Sequence, residues 1–119
     1  MIVLLDTNIV IGFLNGRLDP SVLLKSREGR VCVVTVMELF ALPGLGDDEL
    51  ETISSVLEKY PPIPILAGTA KRAGELARTY RRGRADLLIA ATALEYGIPL
   101  LTQNVRDFKT IRGMKLISV

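Results

Sequence analysis

The strongest constraint on this chain is a set of short apolar runs whose residues are consecutive, not alternating: I-V-L-L at 2–5, V-C-V-V at 31–34, I-P-I-L at 63–66 and P-L-L-T at 99–102. Runs of this kind read as strands buried on both faces, because a sheet with one wet face shows period two. Segments of helical spacing lie between them. Residues 7–14 form the first, stopped at Gly16, and Asp19-Pro20-Ser21 caps a short second helix that ends near residue 26, with Glu28-Gly29-Arg30 as a break. Thr35 reads as the cap of a helix over 36–42 ended by Pro43-Gly44, and residues 47–60 follow with apolar positions at helical intervals until Pro61-Pro62. An amphipathic helix is expected over 67–82 and an almost wholly apolar one over 84–96, ended by Gly97. Asp107-Phe108 opens a turn or short helix, 115–118 is a fifth strand, and Pro64 places the third strand at an edge. The prediction is a single α/β domain over 1–119, a three-layer sandwich with a mostly parallel central sheet of four to five strands and helices on both faces.

Composition narrows the chemistry. The chain has 119 residues, 49% of them hydrophobic, enough for one domain's core, while aromatics are 5% and Trp is absent. With no histidine, Ser-His-Asp and Cys-His catalysis and most zinc sites are excluded. The single cysteine, Cys32, lies in an apolar run and has no partner for an intrachain disulfide, which fits a reducing cytoplasm. Neither a signal peptide nor a membrane span is expected. A net charge of +2 is too mild to announce nucleic-acid binding by bulk electrostatics, so any basic surface must be local.

Four acids stand out against their surroundings. Asp6 follows the first strand, Glu38 lies just after the second and Asp107 shortly after the fourth, all toward the strand ends where ligands gather in parallel sheets. Asp86 opens the most apolar helix, and pattern alone does not place it. Each has a structural explanation. Asp6 and Asp86 suit N-caps, Thr35-x-x-Glu38 is formally a capping box, and Asp107 suits a turn. Yet Glu38 and Asp86 sit in segments destined for burial, and buried carboxylates need partners. The cheapest shared partner is a divalent cation such as Mg2+ or Mn2+, which keeps clustered carboxylates ionised and takes hard oxygen ligands. Such a site can activate water and stabilise the leaving oxygen of a phosphodiester.

The blocks L-L-D-T-N-I-V-I, V-T-V-M-E-L, A-D-L-L-I-A-A-T-A and L-L-T-Q-N-V-R-D-F resemble, in order, the four signature blocks of the PIN domain, most closely those of VapC-type toxin ribonucleases. The resemblance spans essentially the whole chain. It implies an Mg2+- or Mn2+-dependent endoribonuclease in which Asp6, Glu38 and Asp86 hold the metal. At the fourth position Asn104 stands where many members have aspartate; Asp107 supplies the nearby acid, with Asn104 assisting through water. Thr7, Asn8 and Thr102 would orient ligands or water, or else serve only local backbone hydrogen bonding. The run Arg81, Arg82, Gly83, Arg84 is the densest basic stretch, a candidate for RNA phosphate contact or a solvated helix end. The resemblance also implies a homodimer and a VapB-type antitoxin whose tail lies along the toxin's helices. The apolar first helix with Phe40, Leu42 and Leu45 offers a groove for it, or part of the core. Other readings are a PIN nuclease of RNA processing, a PIN-like binding module without turnover, and a haloacid-dehalogenase-like phosphohydrolase with Asp6 as nucleophile. Asn8 in place of the second acid of D-x-D counts against the last.

Overall fold

The computed structural model describes residues 1–119. Its five strands are β1 (Ile2–Leu5), β2 (Glu28–Cys32), β3 (Pro62–Ile63), β4 (Leu100–Thr102) and β5 (Leu116–Ser118). The helices are α1 (Thr7–Leu14), α2 (Pro20–Leu24), α3 (Val33–Phe40), α4 (Asp47–Lys59), α5 (Ala67–Thr79), α6 (Arg84–Tyr96) and α7 (Val105–Phe108). The strands form one sheet in the order β3-β2-β1-β4-β5, every pair parallel. No helix is long and apolar enough to cross a membrane.

Consecutive residues of β1 feed opposite cores, which is why its sequence lacks period two. Val3 and Leu5 pack with Ile9, Val10, Ile53 and Tyr60 beneath α1 and α4, whereas Leu4 packs with Ile89, Ala90, Phe108 and Ile111 beneath α6 and α7. Helices therefore cover both faces, as predicted. α3 joins the two layers, giving Leu39 to the first core and Val34 to the second.

The structure corrects the reading of residues 28–42. Glu28-Gly29-Arg30 does not break the chain; it is the first part of β2, paired Ile2↔Glu28 through Leu5↔Val31. Gly29 is there for space: a Cβ at this position would lie 3.0 Å from a Tyr60 ring carbon and 3.1 Å from Leu5 Cδ1. Because β2 starts early it also ends early, and the helix begins at Val33 with Cys32 as its N-cap residue. Thr35 is consequently inside α3, and the capping box with Glu38 does not form. β3 is shorter than expected, two residues at the sheet edge, and α5 stops at Thr79. Gly97 does close α6 in the left-handed conformation, with φ +63°.

Candidate active site

In the strand order β3-β2-β1-β4-β5 the chain builds outward one way from β1 to β3 and the other way through β4 to β5, so the order reverses between β1 and β4. The crevice beyond the carboxyl ends at such a reversal is where ligands bind in open parallel sheets. Asp6 follows β1 directly and Thr102 ends β4, and the two meet across the reversal: Thr102 Oγ1 donates to Asp6 Oδ2 at 2.7 Å. The other Asp6 oxygen accepts the Thr7 backbone N–H at 2.9 Å, so this residue also caps α1. Thr102 in turn accepts the Asn104 backbone N–H at 2.9 Å, fixing the turn that leads to α7.

Around Asp6 opens a pocket of about 250 Å³, lined by Asp6, Thr7, Asn8, Ile11, Glu38, Leu42, Asp86 and Asn104. The three acids come from the junction of β1 and α1, from α3 and from α6. Asp86 reaches the pocket because α6 returns the chain to the amino edge for β4, which puts the first turn of α6 at the carboxyl edge. That placement is a property of the crossover, invisible to local pattern. Asp6 is 5% exposed and Glu38 and Asp86 are half-buried.

The partners of these acids inside the protein are all uncharged. Thr7 Oγ1 donates to Glu38 Oε1 at 2.6 Å and therefore accepts from the hydroxyl of Thr35, 2.9 Å away. Thr35 is fully buried. It is a member of the site that the sequence reading used as a helix cap; its position one helical turn before Glu38, in an otherwise apolar stretch, was the available signal. The Asp86 carboxylate accepts no hydrogen bond from the protein, and the chain's one ion pair, Arg72 with Glu95 at 3.8 Å, involves none of these acids. Burial pushes the Asp6 carboxyl above the ordinary aspartate range; bonds from Thr102 and Thr7 pull the other way, and Glu38 adds to the rise. Asp86 is also raised, first by burial and then by the charges of Asp6, Glu38 and Asp107, with Arg82 opposing.

At the fourth position Asn104 lines the pocket, and its Nδ2 donates to Asp107 Oδ2 at 2.7 Å. Asp107 stands behind Asn104, near enough for its charge to act on Asp86. Asn8 lines the pocket from an exposed position. Of the three arginines, Arg81 and Arg84 are exposed, while the Arg82 guanidinium is engaged with the end of α7.

No group of three or more acidic or cysteine side chains is arranged to hold a metal ion as they stand. The chemistry of the donor set nevertheless fits Mg2+ or Mn2+: hard carboxylate and amide oxygens, mutually repelling charges, and no Lys or Arg among the lining residues. Beside the pocket, and sharing Ile11 and Leu42 with it, runs a groove of about 500 Å³ that also takes in Leu14, Leu45 and Ile53. Phe40, expected in such a groove, does not line it and is 41% exposed.

The sequence matches the family model of the PIN domain over residues 3–113. A Rickettsia felis protein named Ribonuclease VapC1 is 54% identical over 84 residues, 71% of this chain and 52% of that protein, so the match spans about half the length of that relative. A Mycobacterium tuberculosis protein named Ribonuclease VapC19 is 32% identical over 113 residues, covering 88% of this chain and 90% of that protein. Among solved structures, VapBC-1 from nontypeable Haemophilus influenzae superposes with a TM-score of 0.83 at 26% identity, over 99% of this chain and 98% of that one.

Proposed function

The chain belongs to the PIN domain family, and from that premise we propose that it is a metal-dependent endoribonuclease, the toxin of a toxin–antitoxin pair. The observation that carries this reading is the convergence of Asp6, Glu38 and Asp86, from three separate parts of the chain, on one pocket that contains no compensating cation. Asp6, Glu38 and Asp86 would hold Mg2+ or Mn2+, with Asp107 as the fourth acid beside Asn104. When bound, the ion would supply Lewis-acid activation of water and stabilisation of the leaving oxygen of an RNA phosphodiester.

The protein's own groups prepare the pocket. Thr102 and the Thr7 backbone fix both oxygens of Asp6, and the buried Thr35 hydroxyl orients Thr7, whose proton holds one oxygen of Glu38. Oriented ligands of this kind raise affinity because fewer rotamers are lost on binding. Arg81 and Arg84, exposed before and at the start of α6, are free to meet RNA phosphate. The named relatives support a VapB-type antitoxin as partner, and the apolar groove that shares Ile11 and Leu42 with the pocket suits its tail. A homodimer and a cytoplasmic location complete the proposal.

Cleavage of single-stranded RNA in Mn2+ tests it, with wild type set against Asp6→Asn and Asp86→Asn. The expected result is loss of cleavage of about 100-fold or more in both variants and in chelator. Equal cleavage by all three proteins would trace the activity to a contaminant and refute the assignment.

A further inference from the structure

The two segments that carry the later acids lean on different neighbours. α6, with Asp86, packs chiefly on α5, α3 and β2, whereas α7, with Asp107, packs on β5. At the rim of the site a single guanidinium bridges them. Arg82 lies in the link between α5 and α6, four residues before Asp86. Its Nε donates to the Asp107 carbonyl at 3.1 Å, its Nη2 to Thr110 Oγ1 at 3.2 Å, and its Nη1 back to the Arg81 carbonyl at 2.9 Å. Thr110 Oγ1 itself donates to the Asp107 carbonyl at 3.2 Å, which closes the network around the end of α7. A second tie runs beside it, from the Arg112 backbone N–H to Tyr80 Oη at 3.1 Å.

We infer that Arg82 is a positioning residue, a fork that sets the first turn of α6 against α7 and so fixes Asp86 relative to Asp107 and Asn104. It is not a phosphate contact. Three of its N–H groups are committed to protein oxygens, and one of those acceptors is a terminal carbonyl of α7 that has no helical donor. Only a planar fork reaches a carbonyl, a hydroxyl and its own link together; a lysine ammonium keeps the charge and loses the span. Arg81 and Arg84, which flank it, make no such bonds, so the basic run divides into one structural and two exposed members.

The inference rests on the metal-dependent nuclease reading, and the test separates the two. Wild type, Arg82→Gln, Arg82→Lys and Thr110→Val are compared, with the exposed Arg78→Ala as a control for charge. The Mn2+ concentration giving half the maximal thermal shift is measured without RNA, and kcat and KM are measured on a short single-stranded RNA over a range of salt. Arg82→Gln is expected to raise the Mn2+ midpoint and lower kcat by about 10-fold each, leaving KM and its salt dependence unchanged. Arg82→Lys should keep most of that loss, Thr110→Val should show a smaller change in the same direction, and Arg78→Ala should match wild type. A raised KM with flattened salt dependence and an unchanged midpoint in Arg82→Gln would make Arg82 a phosphate contact and overturn the inference. So would full rescue by Arg82→Lys. If Arg82→Gln does not fold, Arg82→Lys and Thr110→Val decide. Metal binding by wild type without cleavage would remove the nuclease reading while the midpoints still decide Arg82; no metal binding by wild type would overturn both.

Discussion

Replacing Thr102 with valine removes one hydroxyl at nearly constant volume from a residue that is fully buried. The lost bond is the 2.7 Å contact to Asp6 Oδ2, and the Asn104 N–H loses its acceptor as well. A hydrogen bond to a charged acceptor contributes about 1.5–3 kcal/mol, against about 0.5–1.5 kcal/mol for a neutral pair. With an unfolding entropy near 2.1 cal/mol/K per residue, 119 residues give roughly 0.25 kcal/mol/K, so ~2 kcal/mol is a fall of ~8 °C in Tm at neutral pH. The pH dependence has a definite sign. Burial holds the Asp6 carboxyl above its ordinary value while Thr102 lowers it, so losing Thr102 raises it further. A carboxyl raised in the folded state gives full stability below its unfolded pKa, about 3.9, and loses stability as pH climbs through the folded value. The variant's deficit is therefore largest where Asp6 is ionised and shrinks to roughly half, ~4 °C, well below that unfolded value, where only a neutral bond is missing. Thermal melts of metal-free wild type and Thr102→Val at about pH 3 and at neutral pH measure both numbers. Equal losses at the two pH values would show that Thr102 serves packing and not the charge on Asp6.

Asp86→Asn should raise the Tm of the metal-free protein at neutral pH, because it removes a half-buried charge facing Asp6, Glu38 and Asp107. The gain should shrink as pH falls and vanish well below the unfolded value of about 3.9, where wild-type Asp86 is protonated folded or unfolded; melts at neutral pH and at about pH 3, and the loss of any Mn2+-induced stabilisation in the variant, check it. Gly97→Ala should cost about 1 kcal/mol in chemical denaturation, since φ is +63° and nothing lies within 4 Å of the added methyl, leaving backbone strain as the whole penalty.

The apolar runs were legible as buried strands because burial on both faces erases period two, and β1 with its opposite-facing Val3 and Leu4 confirms the reason. The run at 31–34 misled because hydrophobicity reports burial and not backbone conformation. What set the boundary was pairing: Ile2 faces Glu28, so β2 starts three residues early and Val33 already belongs to a helix. The same shift moved Thr35 from a cap to a buried donor within the site. Sequence singled out Asp6, Glu38 and Asp86 as acids at odds with their neighbours, and the absence of histidine restricted their chemistry. It had no means of showing that α6 returns its first turn to the carboxyl edge, or that Arg82, read as part of a basic run, spends its donors on α7. Residue type and spacing determine which groups must be buried and which chemistry they allow. Which of them face one another is set by strand order and crossover, contacts between residues as far apart as Asp6 and Thr102, and those the tertiary structure alone decides.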